Sequence, residues 1–185
     1  MRHMESLQGK FLLATSRMPD PRFREMVIYM CSHNEEGAMG LVVNQPTPYS
    51  LADIFRAAEV EPPPGKLPPV HIGGPVEMTA AFFLFSADYQ PENFIAVNDT
   101  VRVSGDSRII FDIAAGHGPK DFIFLLGYTG WAAGQLENEL TVNGWLTLPA
   151  AYEDIFHTPD ELKWRRVAER YGINIALYDD SIGNA

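Results

Sequence analysis

The segment LGYTGWAAGQLENELTVNGWLTL, Leu126 to Leu148, decides how the rest of this chain is read. An apolar run enters it, Gly127, Gly130 and Gly134 punctuate it, a short carboxylate-bearing stretch follows, and Asn143-Gly144 turns into a second apolar run. That order reads as strand, glycine loop, helix and strand, and such a loop leaves backbone N–H groups bare at a helix start, where ligands sit. The spacing G-x-x-G-x-x-x-G matches neither the dinucleotide fingerprint nor the phosphate loop, and no lysine follows to meet a phosphate. The plain reading gives Gly127 and Gly130 to a tight turn and Gly134 to close helix packing. The functional reading sets Trp131, Gln135 and Glu139 or Asn138 on one side of a helix, offering a ring, an amide and a carboxylate to a neutral or cationic small molecule, with Ala132, Leu136 and Leu140 toward the core.

Working outward, Lys10 to Thr15 and Met26 to Cys31 read as strands, the second apolar on both faces and therefore interior. His33 to Gly37 reads as a turn and Ala38 to Asn44 as the returning strand of a hairpin. Ser50 caps an expected helix over Leu51 to Val60, followed by a stiff proline-rich connector from Glu61 to Pro69 without P-x-x-P spacing. Strands are expected at Val70 to Ile72, Ala80 to Ser86, Phe94 to Val103 and Asp121 to Leu126, with a helix over Ser107 to Ala115. Thr158, Pro159 and Glu161 give the start signal of a helix ending near Gly172. Strands form the early body and helices are interspersed. The expected class is α+β, an α/β sandwich around a mixed, largely antiparallel sheet. Residues 1–8 read as a flexible N-terminus, in which Met4 looks like an alternative start, and residues 9–185 as one domain.

Charge narrows the function. Fourteen Lys and Arg against 24 Asp and Glu give a net charge of −10, which repels phosphate backbones and anionic membranes and argues against direct nucleic-acid binding. The one basic cluster, Lys163, Arg165 and Arg166, lies beside Glu161 and Glu169 and reads as a solvated helix face. A lone cysteine excludes an internal disulfide and fits a reducing cytoplasm, and no apolar run is long enough to span a membrane.

The sharpest catalytic idea pairs Cys31 with His33 as thiolate and base, two apart on one strand face, for a hydrolase or transferase; a carboxylate base such as Glu139 is the variant. Its bland counterpart is a small buried core cysteine. The five histidines lack metal-ligand spacing, although His33, His71 and His117 leave open a site gathered by the fold. No cofactor is expected. Since no acid, base and nucleophile set is evident, the sequence leans toward a non-enzymatic module binding a small molecule or a protein. The pocket is expected among His33, Asn34, Asn44, Gly73, Gly74, Gly127, Gly130, Trp131, Gln135 and Glu139, and the hairpin and the tryptophan segment are expected to share a hollow.

Several segments in order resemble the AlgH/YqgE-like bacterial proteins, a group without an established biochemical activity. They are Asp20-Pro21-Arg22-Phe23, His33 to Asn44, Gly73-Gly74-Pro75-Val76, Gly127 to Glu137, and Trp145-Leu146-Thr147 with Pro149. The resemblance runs from about Gly9 to the C-terminus and implies a cytosolic protein with a sandwich around a mixed sheet. Some members carry the label of transcriptional regulator, drawn from phenotype, and the acidic charge makes an indirect effect physically easier than operator binding. The chain departs from the family pattern at Ala80-Ala81-Phe82 and Phe85, in place of Arg-Gly-Phe and a histidine. It departs again at Gln45, Ala151 and Asn184, where charged or histidine residues are frequent.

Overall fold

A computed structural model describes residues 5–142 and 144–178. Nine strands appear among them: β1 Lys10–Ala14, β2 Val27–Asn34, β3 Gly37–Val42, β4 His71–Ile72, β5 Val76–Ser86, β6 Ile95–Ala96, β7 Val101–Ser104, β8 Phe122–Ala132 and β9 Trp145–Pro149. The helices are α1 Leu51–Ala57, α2 Ile109–Ala114, α3 Gln135–Thr141, α4 Tyr152–Phe156 and α5 Asp160–Arg170. The fold is α+β, and every strand pairing is antiparallel except that of β4 with β8. The chain divides into two compact units, Met1–Asn44 with Thr129–Ala185, and Gln45–Tyr128. Strand β8 belongs to both, its earlier residues to the second unit and its last residues to the first.

In the first unit the strand order is β8, β3, β2, β1, β9. Strands β1 and β2 are buried on both faces, as their unbroken apolar runs require. On one face Leu12, Ala14, Ile28, Met30 and Val42 form a cluster with Trp131, Trp145 and Leu136 of α3. Leu7 joins the same cluster, and Gly9 N–H donates to Met30 O at 2.7 Å. Lys10 N–H also donates to Leu7 O, so the chain entering β1 is anchored at Leu7 and Gly9. Gly40 is paired in β3 where a Cβ would stand 2.6 Å from Ile28 Cγ2, so the sheet surface there has room only for hydrogen.

In the second unit the order is β6, β7, β5, β8, with β4 on β8. Its core gathers Leu51 and Phe55 of α1, Ile109, Ile110 and Ile113 of α2, and Phe83, Phe85 and Phe124 of the sheet. The run Phe94 to Val103, expected as one strand, is a hairpin: β6 pairs with β7, and Asn98 Oδ1 accepts from Thr100 N and Val101 N in the turn between them.

Three further expectations are corrected. The glycine stretch is not a loop: β8 continues through it, with Gly130 opposite Met39 and Trp131 opposite Ala38. Pairing with β3 satisfies those backbone groups better than a loop exposed to water would. Only Ala133-Gly134 remains between strand and helix, and Ala132 is exposed rather than core-facing. Second, the helix expected from Thr158 is preceded by a separate one, α4, with Glu153 and Asp154 in its first turn. Third, Lys163 is buried, its ammonium donating to Thr158 O at 2.7 Å and Asp160 Oδ1 at 3.1 Å, while Arg165 and Arg166 face solvent as expected. Helix α5 starts after Pro159, and the Thr158 hydroxyl donates to Asp154 Oδ1 instead of capping it. Asn143, half of the expected Asn-Gly turn, and Asn184 lie outside the described residues.

Candidate functional site

The hairpin of β2 and β3 and the β8-to-α3 segment meet inside the first unit. Asn34 pairs with Gly37 at the hairpin end, and its Oδ1 accepts from Glu36 N at 2.8 Å, so this side chain performs turn chemistry. His33 is buried and occupied at both nitrogens: Leu7 N–H donates to Nδ1 at 2.9 Å, and Nε2 meets Glu137 Oε1 at 2.6 Å. A backbone donor on Nδ1 leaves the ring proton on Nε2, directed at the carboxylate. That contact holds the Glu137 carboxyl below the usual carboxylate range.

Glu139, further along α3, is engaged in the same manner. Its Oε2 accepts from Trp131 Nε1 at 2.8 Å and Trp145 Nε1 at 3.2 Å, and its Oε1 accepts from Gln135 Nε2 at 3.3 Å. Gln135 Oε1 in turn accepts from Ala132 N. The expected cluster of ring, amide and carboxylate therefore exists, with Trp131 contributed by the strand instead of the helix, and its polar atoms are spent on one another. Gly73, Gly74 and Gly127 belong to the second unit, where Gly73 N–H donates to Leu126 O. Gly127 has φ 75°, and a Cβ there would lie 2.4 Å from Gly74 O, so this glycine permits a close backbone approach.

The Cys31 and His33 pair is not assembled. Cys31 falls at the irregularity of β2 between Met30 and Ser32, where strict alternation breaks down. Its Sγ leans toward Tyr29 O at 3.8 Å, and burial pushes the thiol up to about 12, so no nucleophilic thiolate is at hand near neutral pH. His71 directs Nδ1 at Pro69 O. Among the described residues no group of three or more His, Cys, Asp and Glu side chains is placed to hold a metal ion.

Each unit carries a cleft. That of the second unit, about 350 Å³, is lined by Tyr89, Glu92, Asp106, Arg108, Phe111 and Asp112, and its polar groups are mutually engaged. Arg108 bonds Asp106 at 2.8 Å and also Glu92, its hydrogen bonds taking the Asp106 carboxyl down to about 2, and Tyr89 Oη bonds Asp112.

The cleft of the first unit, about 310 Å³, is different. Met18, Pro19, Pro21 and Trp164 furnish its apolar lining. Thr15, Ser16, Arg24 and Glu25 furnish the polar lining. Among the described residues the side chains of Arg24 and Glu25 have no hydrogen-bond or ion-pair partner. The wall is built by Asp20-Pro21-Arg22-Phe23: Asp20 Oδ1 accepts from Arg22 N and caps one tight 3-10 turn, and the Arg22 guanidinium clasps the same carboxylate at 2.6 Å. Phe23 packs edge-on against Trp145 at 5.7 Å, which ties the wall to the Glu139 cluster. Glu25 has φ 57°, a left-handed conformation costing a non-glycine residue roughly 1–2 kcal/mol. Asn44 holds it there, donating from Nδ2 to Glu25 O at 2.9 Å while its Oδ1 accepts from Val27 N at 3.0 Å. Asn44 is thus a support of the cleft wall. Sequence reasoning missed Arg24 and Glu25, which carry no motif; the nearest hint was the Asp20-Pro21-Arg22-Phe23 segment beside them.

A family model described as AlgH-like matches residues 11–176. The chain belongs to the AlgH-like family. It is 40% identical to the UPF0301 protein DP2218 of Desulfotalea psychrophila, covering 97% of this chain and 95% of that protein. It is also 40% identical to the UPF0301 protein SPO0296 of Ruegeria pomeroyi, covering 97% and 99%. The solution structure of the AlgH protein from Pseudomonas aeruginosa is similar with a TM-score of 0.77 and 34% identity, over 100% of this chain and 98% of that one. The crystal structure of DIP2367 from Corynebacterium diphtheriae shares the fold at a TM-score of 0.75 and 22% identity, over 96% and 94%.

Proposed function

We propose that this AlgH-like protein is a non-enzymatic, cytoplasmic binding module that takes a small molecule in the cleft of its first unit and influences gene expression indirectly. The observation that carries the reading is the cleft itself. It falls in the size range of small-molecule sites, roughly 300–1,000 Å³, and holds two charged side chains that nothing in the described protein satisfies. Phe23, next to the lining residue Arg24, packs on Trp145, whose indole bonds Glu139, and Asn44 sets the wall at Glu25. A deeply buried thiol and an imidazole bonded at both nitrogens speak against acyl or group transfer through Cys31 and His33. The net charge of −10 speaks for an indirect route to any effect on transcription, through the ligand or a partner protein. Among the described residues no helix is long and apolar enough to cross a membrane.

The test is a thermal-shift screen of the purified protein against a metabolite library, repeated on Ser16→Phe, which places a ring in the cleft from an exposed position. A ligand that raises the melting temperature of the wild type and not of the variant supports the reading. Hits that Ser16→Phe leaves unchanged refute it.

A further inference from the structure

We infer that the cleft selects a zwitterion of the amino-acid type, its carboxylate held by Arg24, its ammonium by Glu25 and its apolar portion against Met18, Pro21 and Trp164. The inference rests on the cleft reading above and deepens it.

Three observations converge. The first is that both signs of charge are present and unpaired: Arg24 and Glu25 line the same cleft with no partner among the described residues, whereas the cleft of the second unit has its arginine bonded to two carboxylates. A pure anion would leave Glu25 unmatched, and a pure cation would leave Arg24 unmatched. The second is spacing. Successive residues of an ordinary strand point to opposite sides, but the left-handed backbone at Glu25, clamped by Asn44, lets both neighbours line one hollow. Charges offered by adjacent residues suit a ligand whose own charges are adjacent, as they are on a single α-carbon. The third is the field of the whole molecule. At −10 it repels a free carboxylate, whereas a ligand whose charges cancel meets no net-charge repulsion. A guanidinium also matches the planar, two-oxygen shape of a carboxylate.

Calorimetric titration of the full chain with each proteinogenic L-amino acid tests this. For the tightest binder, the matching amine lacking the carboxylate and the matching acid lacking the amine are titrated too, against wild type, Arg24→Gln and Glu25→Gln. Both residues are exposed, and unchanged tryptophan emission controls for folding. Arg24→Gln is expected to weaken the amino acid and the acid by roughly tenfold or more and to leave the amine unaffected; Glu25→Gln is expected to weaken the amino acid and the amine to the same extent and to leave the acid unaffected. No heat with any amino acid, or equal losses for all three ligands in both variants, overturns the zwitterion inference. If metabolite hits blocked by Ser16→Phe persist in that event, the cleft reading stands without it; if Ser16→Phe blocks nothing, both fall.

Discussion

Replacing Glu139 by alanine removes the acceptor of two indole N–H groups at once, and the loss can be reckoned from geometry. Oε2 lies 2.8 Å from Trp131 Nε1 and 3.2 Å from Trp145 Nε1, and those tryptophans are 8% and 7% exposed. A hydrogen bond to a charged group contributes about 1.5–3 kcal/mol, and a buried donor left bare costs about 1–3 kcal/mol. The first bond has good length and the second is long. Water reaches the edge of α3, since Gln135 and Asn138 are exposed, so one indole recovers some of its loss. The expected destabilisation of Glu139→Ala is about 2–4 kcal/mol. Glu139→Gln, which keeps one oxygen but loses the charge, should cost about 1 kcal/mol. All three tryptophans lie in the first unit, so urea unfolding followed by tryptophan emission reports that unit without contribution from the other. The midpoint should fall in the order wild type, Gln, Ala, with unchanged slope. An alanine variant within about 0.5 kcal/mol of wild type, the range of ordinary surface substitutions, would refute the claim that this carboxylate joins strand, helix and edge strand.

Gly127→Ala should destabilise the second unit by more than about 3 kcal/mol, because it adds a left-handed alanine to a backbone contact of 2.4 Å, and calorimetric melting would show it. Cys31 should resist iodoacetamide in the native protein and react only as fast as the first unit opens, since burial raises its thiol to about 12; rapid native alkylation by mass spectrometry would contradict that. Asp154 gives a pH test. Burial raises its carboxyl, but the hydrogen bonds from Arg170 at 2.7 Å and Thr158 at 2.8 Å outweigh this, leaving the folded value below 3.8. A lowered folded value stabilises above the unfolded pKa of about 4 and is lost as pH falls through the folded one. Asp154→Asn should therefore be about 2 kcal/mol less stable at pH 7, with the gap narrowing as pH falls below about 4; a gap that stays constant from pH 7 down to pH 2 would exclude the mechanism.

The early strands and the hairpin are readable in the sequence because their burial pattern is written in neighbouring residues. Lys10 to Ala14 and Val27 to Cys31 have no polar face to misplace, and the two-residue Glu35-Glu36 connection follows from Asn34 and Gly37. The glycine stretch misleads for a related reason. Gly127, Gly130 and Gly134 signal freedom, but only Gly127 and Gly134 use it, with φ of 75° and 77°, while Gly130 sits in a ladder opposite Met39. Whether glycine marks a loop or a strand that something else approaches closely depends on the partner strand, and that is not a local property. Lys163 misleads likewise: its helix position looks solvated until Thr158 O and Asp160 supply an inward acceptor pair. The expected hollow between hairpin and tryptophan segment is a meeting of polar groups that satisfy one another, whereas the first unit's cleft is lined by Arg24 and Glu25, whose side chains have no partner among the described residues.

What the chain alone determined was its class, its acidic surface, the interior strands and its family, because propensity, alternation and short motifs act over a few residues. The tertiary structure alone decided which polar groups are spent and which are free. His33 finds Glu137 across 104 positions, and Trp164 Nε1 finds Ala14 O across 150, and each such bond removes a side chain from the set open to a ligand. Hydrogen bonds are short in space and indifferent to separation along the chain, so a binding surface is defined by what folding leaves unpaired.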